Sequence, residues 1–548
     1  MLTWLLMASI FGAREPVAVT GTVWRWDGIP ASLAQVVLVA EPPFGVGELL
    51  WQETQCDEGG RFRLSLPYPT DRMAFVIARH TDGGLGWQRV TLTRSTSCRI
   101  VLHRTVPLTG QVSGMPNAHL FVRQLKPLGV FDGDRVPLHL ARFTPPFLQA
   151  HTDATGRFAF AALPDGFIAE VELATLPVRF TALVGDTAQW CLPPMGIVAG
   201  TVQTADGAPL PNALVHCVPV DPLPPDSGFR PVATAVTTDV QGNFRVAAPA
   251  GKWLIWLPAR GDAEWVSAPQ IVSVPANTTV AVTLKAQRAG IVRGWVADAQ
   301  TRFPLPRLFV HAQLLHPIPR PTPRIPVLSE VACQLPEGAY ELRLPNGIWL
   351  LKVADDGWQS EPVTVEVAEG AVLEAPFIFA RPFPTVHVTV VDQRGQPTQA
   401  LIADGDGDTI ATDANGTAHR QIPPGRPVRL IAVSADKRAW ATEVVTGTAT
   451  ALQLPLRTGV AINGTVVGAA ARPLPNTLVS LWAKWQTDDR PLCLLSQRSD
   501  AHGRFAFFAP ADAFVQVRAY TGNAHGQTAW QAAPSLAQTG VVVRVAAE

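Results

Sequence analysis

Charge is scarce in this sequence. Only 16% of its 548 residues are charged, and 44 basic side chains offset 44 acidic ones. Without a basic surplus, there is no electrostatic ground for binding nucleic acid or an anionic membrane. Lysine is rare beside arginine, tyrosine occurs three times and cysteine six. Cys56, Cys98, Cys191, Cys217, Cys333 and Cys493 are too dispersed for a repeating disulfide framework, and no C-x-x-C offers a zinc ribbon or redox pair. Cys56 and Cys98 form the one pair placed to bridge; the alternative is that all six are small buried apolar residues. The catalytic signatures H-E-x-x-H, G-x-S-x-G, the Walker loop and G-x-G-x-x-G after a strand are missing. Helical periodicity of any length is missing too. The apolar run from Met1 to Ala13 is too short to span a bilayer but has the length of a signal-peptide core. Residues 1–16 therefore read as an export signal without the usual basic start, or as an apolar terminus packed on the first folded unit. No membrane span is expected.

Present instead are 47% apolar residues, 50 prolines and 43 glycines. Such a chain is foldable and rich in turns, and disorder would require low hydrophobicity with high net charge. Its length exceeds what one core supports. The octet Thr237-Thr238-Asp239-Val240-Gln241-Gly242-Asn243-Phe244 organises the rest, because its skeleton T-x-D-x-x-G-x-F returns. Copies are Thr152-Asp153…Gly156-Arg157-Phe158 and Ser499-Asp500…Gly503-Arg504-Phe505. Weaker ones are Asp57…Gly60-Arg61-Phe62, Asp413…Gly416-Thr417-Ala418 and Leu335…Gly338-Ala339-Tyr340. The six glycines lie 78 to 96 positions apart. Asp opening a four-residue turn accepts backbone N–H bonds from one and two residues on. Gly at the fourth position takes the positive φ required before the chain re-enters a strand. Period-two alternation comes next, as in Phe244-Arg245-Val246, and a proline after it continues as P-x-G in four copies.

Each copy is preceded by an alternating strand with a central glycine: Gly21, Gly110, Gly200, Gly294 and Gly464. The fifth has Val386-His387-Val388-Thr389-Val390 instead. Gly within a strand marks a bulge or a close approach. About seven short strands per copy, with turn signals at sandwich spacing, predict an all-β chain: a tandem array of about six small antiparallel β-sandwich domains. The expected limits are 17–103, 104–193, 194–287, 288–381, 382–457 (short and degenerate) and 458–548. At this size each unit is expected to fold as a separate bead, so that Phe244→Ala unfolds the third alone.

The order G-x-V, P-x-x-A-x-V, T-x-D-x-x-G-x-F, P-x-G resembles the carboxypeptidase regulatory-like domain, a transthyretin-like β-sandwich, over nearly the whole chain. The resemblance implies a seven-stranded accessory module without catalysis of its own. The similar Cna B-type repeat of bacterial adhesins implies a Lys–Asn crosslink, for which no lysine recurs in the first strands.

Candidate ligand-binding residues are one tryptophan per unit between the P-x-G turn and the final strands: Trp87, Trp265, Trp358, Trp440 and Trp530, with Trp190 in the second. They read either as rings stacking on a sugar or as packing that seals each core. A weak Ca²⁺ candidate is Asp404, Asp406 and Asp408, three carboxylates at alternate positions, which a D-G hairpin explains equally. His119, His139 and His151 with Asp132 and Asp134 match no metal-ligand spacing. The proline-rich stretches at 221–225 and 316–321 read as binding loops or edge protection. No catalytic residue, cofactor or firm metal site is expected. The reading is a non-enzymatic, exported or cell-envelope chain acting as spacer, scaffold or adhesion array. The alternatives are an array binding polysaccharide or surface proteins, and an enzyme with an unrecognised site.

Overall fold

The computed structural model describes residues 17–545 apart from 41–48, 67–72, 133–136, 142, 221–228, 259–263, 306–307, 317–328, 333–337, 356, 376, 406, 424, 448, 469–470, 487–488 and 522–523. Residues 1–16, Asp134, Cys333, Asp406 and the stretches 221–225 and 317–321 lie outside the described set.

The chain is all-β, a tandem array of small sandwiches. In the first unit, strand Val17–Trp24 runs between Arg61–Leu66, antiparallel to it, and Thr96–Val101, parallel to it. A second sheet faces this one, in the order Leu50–Gln55, Gln35–Ala40, Met73–Arg79, Leu85–Thr91. The same mixed three-stranded sheet recurs with Thr105–Val112, Met195–Gln203, Thr385–Val391 and Val460–Val467 in the middle. In unit four, Gly290–Asp298 pairs antiparallel with Ala339–Leu344 and parallel with Val372–Glu374 and Ile378–Pro382, within one larger continuous sheet. One short α-helix, Ala533–Thr539, is described near the end.

The octet makes a three-residue hairpin loop in which the glycine forms the bulge. All six glycines have φ between +69° and +82°. Each glycine carbonyl accepts an N–H from the first strand, as from Val23 (2.8 Å), Val202 (2.8 Å) and Val296 (2.9 Å). The aspartate works differently from the sequence expectation. Asp239 Oδ1 accepts the N–H groups two and four residues on, at Gln241 (2.9 Å) and Asn243 (2.8 Å). Asp153, Asp413 and Asp500 do the same. The threonine before it is a buried pin. Thr238 Oγ1 accepts from Ala213 N–H and donates to the Leu210 carbonyl, both at 2.8 Å, tying the turn to the proline loop. Thr152 and Ser499 repeat both bonds.

The strand glycine and the aromatic after the turn are one device. Gly21 lies opposite Phe62, Gly110 opposite Phe158, Gly200 opposite Phe244, Gly294 opposite Tyr340 and Gly464 opposite Phe505. The ring lies over the bare glycine, and a Cβ on Gly200 would come within 2.4 Å of the Phe244 ring. The fifth unit exchanges both partners, pairing Val388 with Ala418. Its apparent degeneracy is a compensated swap that fills the same space.

The units share apolar cores, which the bead picture did not anticipate. Strand Gln35–Ala40 sends Val36, Leu38 and Ala40 into its own core, and Val37 and Val39 into a cluster with Leu163 and Phe167 of the second unit. Trp253 and Ile255 stay within unit three, while Leu254 and Trp256 enter the core of unit four. Leu430 and Ala432 point inward, and Ile431 and Val433 join the core of unit six. The odd-numbered units thus dock the outer face of their larger sheet on the next unit. Unit three also contributes Phe229–Pro231 as an antiparallel strand along the edge of Val178–Leu183 in unit two. The strand that follows the proline-rich stretch therefore covers a sheet edge.

A contact distant in sequence closes the assembly. Val130 and Phe131 of unit two donate N–H bonds to the carbonyls of Cys493 (2.9 Å) and Leu494 (3.0 Å) in unit six. Asp132 accepts from the N–H (2.7 Å) and hydroxyl of Ser496. Arg498 forms a forked ion pair with Asp165, its Nε at 2.9 Å.

Cys56 and Cys98 are both free, so no bridge joins them. Burial pushes their thiols up to about 11 and that of Cys217 to about 12, and it holds Cys493 well above its ordinary value. Cys191 is exposed. Since the thiolate is the reactive form, native protein at pH 8 should show a fast Ellman's-reagent phase that Cys191→Ser removes, with Cys56, Cys217 and Cys493 titrating only on unfolding. Fast labelling of Cys493 would contradict its burial.

Candidate functional site

The sequence-derived tryptophans fall into two groups. Trp87 and Trp440 occupy matching strands and are buried between units, not at the end of their own core. Trp87 meets Phe167 of unit two edge-on at 5.5 Å, and Trp440 meets Phe131 of unit two in the same way at 5.5 Å. Trp190 is on a final strand instead, sandwiched between Phe158 and Phe180 at 4.8 and 4.9 Å. None of these three rings presents a face to solvent. Trp265, Trp358 and Trp530 are half-buried. Arg288 lies over the Trp265 ring at 5.8 Å, Lys484 over Trp530 at 5.1 Å, and Trp358 packs against the core of unit four. The six are not brought together in one row.

The acidic run is a turn. Asp404 Oδ1 accepts Asp408 N–H (3.0 Å), Gly407 N–H reaches the Asp404 carbonyl (3.0 Å), and Gly407 has φ +94°. This is the Asp-x-x-Gly geometry of the octet once more. Asp404 is buried against the Arg420 guanidinium, while the Asp408 carboxylate points into solvent. The histidines do not converge with Asp132 either. His119 stacks on His151 at 4.1 Å and its Nε2 lies 2.9 Å from Gln149 Oε1. His139 pairs in a strand with Gln124, and Asp132 is turned toward Ser496 of unit six. Among the described residues no group of three or more His, Cys, Asp or Glu side chains is placed to hold a metal.

The surface that sequence reading missed is on unit four. Where strand Gly290–Asp298 pairs with Ile378–Pro382, Trp295, Phe377 and Phe379 are 37%, 52% and 41% exposed. Their rings form a row, with centroids 5.6 and 6.1 Å apart and planes tilted by only 26° and 13°. Arg302 lies 4.1 Å above Phe379. Beside the row, Arg293 and Arg343 grip Glu341 at 3.0 and 3.3 Å. Contiguous exposed aromatics are unusual on a soluble surface and mark binding sites. The clue in the sequence was Trp295 at the position where other units carry Thr22, Gln111, Thr201 or Thr465. Nothing but that single replacement announces it.

No protein-family model and no curated protein sequence matches the chain. Among solved structures, it is similar to the Bacillus anthracis TIE protein at 14% identity, over 69% of this chain and 78% of that one, with a TM-score of 0.15. It is also similar to a streptococcal ancillary pilin (14% identity, 51% and 99% covered, TM-score 0.17) and to BcpA, the major pilin subunit of Bacillus cereus (10% identity, 48% and 99% covered, TM-score 0.14). Likeness this slight does not bear on function, which has to be read from the geometry.

Proposed function

We propose that the chain is a non-enzymatic scaffold of the cell exterior or envelope, built from six modules of the carboxypeptidase regulatory-like, transthyretin-like kind. The supporting observation is that the recurring residues are all engaged in architecture: threonine as pin, aspartate as turn acceptor, glycine as bulge, aromatic as core plug. None is left over for chemistry. Contact between units two and six favours a compact scaffold over an extended spacer, since a rod needs units that touch only their sequence neighbours. Fractionation of the native host should recover the protein with the surface or envelope. Recovery from the cytoplasm would overturn the location, and a metal copurifying at fixed stoichiometry would overturn the non-enzymatic reading.

The ring row on unit four favours a second role, in which a polysaccharide lies across Trp295, Phe377 and Phe379. Flat rings offer large apolar area to the C–H faces of sugars while the polar rim bonds hydroxyls. Trp295→Ala with Phe377→Ala should weaken polysaccharide binding roughly tenfold, about 1.4 kcal/mol, by affinity electrophoresis. Unchanged mobility shifts would rule this surface out.

A further inference from the structure

We propose that unit one carries a groove that binds the carboxylate or sulfate groups of an acidic polysaccharide through Arg89, Arg94 and Arg99. The inference rests on the polysaccharide-binding role and names a different surface and a ligand class. The groove, of about 680 Å³, runs where the edge strands Leu85–Thr91 and Thr96–Val101 of the two sheets lie side by side. Gln88, Thr91 and Ser97 line it together with the three arginines.

None of these arginines has a carboxylate partner among the described residues, although the chain as a whole is neutral. Most of the described acids of unit one are engaged elsewhere. Arg25 holds Asp27 and Asp82 at 3.0 and 3.1 Å, Asp57 accepts the Arg61 N–H at 2.8 Å, and Glu53 accepts from the Gln35 amide at 2.6 Å. Glu58 stands in the turn itself. The Arg99 guanidinium rests 5.1 Å over the Trp24 ring, which fixes it on the sheet face. Strand register then places Arg61 and Arg99 on either side of Thr22, extending the cationic track across the sheet by about 10 Å, two strand spacings.

Guanidinium forks match carboxylate and sulfate oxygens in pairs, and the threonine and serine hydroxyls and the glutamine amide supply further donors. Charge on an edge strand also discourages edge-to-edge pairing. That need is met by one charge per strand and does not call for three arginines lining one groove with no acid among its described lining residues. A polysaccharide fits better than nucleic acid, because base stacking needs open rings in the groove and the neighbouring Trp24 is covered by Arg99.

Binding of the full-length protein to polygalacturonate, dextran sulfate and neutral dextran at low salt tests this, with duplex DNA as a further arm. The expected result is binding to both acidic polymers that weakens as salt rises, no groove-dependent binding of dextran, and a loss of roughly tenfold or more in Arg89→Gln/Arg94→Gln. Both substituted side chains are at the surface, and an unchanged melting profile of the variant separates lost binding from lost fold. Equal binding by the variant, or no binding of either acidic polymer, would overturn the groove. Arginine-dependent binding of DNA alone would overturn the ligand class. Loss in this variant but not in Trp295→Ala/Phe377→Ala would leave the groove standing and remove the ring row; the reverse would do the opposite.

Discussion

Phe131→Ala is expected to open the molecule without unfolding its units. Phe131 belongs to unit two, yet it is fully buried in the core shared by units five and six. Removing a buried phenylalanine costs about 3–5 kcal/mol. Here that loss falls on a docking contact, since the ring fills no space in its own sandwich. The remaining ties among the described residues include two backbone hydrogen bonds, the Asp132–Ser496 pair, the Arg498–Asp165 ion pair, and a small apolar cluster of Leu128, Ile168 and Leu183 with Leu478, Cys493, Trp482 and Tyr520. Small-angle scattering should register a larger radius of gyration and circular dichroism an unchanged strand signal. Calorimetry should resolve a transition for the first pair of units apart from that of the last. A lower melting temperature at constant size would mean that the contact cannot open by itself.

The same contact has a pH signature. Burial raises the Asp132 carboxyl above its ordinary value, against the lowering effect of hydrogen bonds from Ser496 and Gly129 and of Lys437. A raised pKa means that the closed form favours the protonated group. Its contribution is complete below the ordinary carboxylate range and fades as pH climbs through the raised value. Asp153, Asp239 and Asp500 behave oppositely, because hydrogen bonds to the turn lower them, and their contribution is lost as pH falls. Mild acid should therefore tighten the contact at Asp132 before it loosens the hairpins.

The repeating part of this fold is legible because local chemistry dictates it. Asp, Gly and an alternating aromatic strand leave one turn geometry available, and six copies at similar spacing can hardly be anything but six similar units. Docking between units was also written in the sequence, in runs such as Val36-Val37-Leu38-Val39-Ala40 and Trp253-Leu254-Ile255-Trp256. A strand with one wet face alternates, and a strand without alternation is buried on both faces. Read only as strands, these runs concealed their second partner. The contact between units two and six left no such trace, since Gly129-Val130-Phe131-Asp132 looks like any loop. Nor could the ring row on unit four be found from spacing. Trp295, Phe377 and Phe379 become neighbours only when parallel pairing brings the last strand beside the first. The tryptophan between the P-x-G turn and the final strands attracted notice because it recurs, and recurrence in a repeat protein points first to packing.

The strongest expected effect on a single unit comes from Phe244→Ala. The ring plugs the space over Gly200, and its loss should cost about 3–5 kcal/mol, a large share of the roughly 5–15 kcal/mol that holds a domain folded. Phe244 packs only within unit three, but Leu254 and Trp256 of that unit belong to the core of unit four. Calorimetry should therefore show unit three lost, unit four melting earlier, and the units at either end of the chain unchanged. Unit five supplies the means of rescue, because Val388 and Ala418 fill the same pair of positions with the bulk reversed. Gly200→Val alone should be severe, since its Cβ would meet the ring at 2.4 Å and the Val282 carbonyl at 2.7 Å. In the double variant Gly200→Val/Phe244→Ala the ring is gone, and valine occupies part of the space it leaves. The Val282 carbonyl still has to give, but the double variant should lose less than the two single losses added together, by about 1 kcal/mol or more, a coupling of the size that touching residues show. If the two losses simply add, the glycine and the aromatic are not a single packing device, and the exchanged pair in unit five has some other origin.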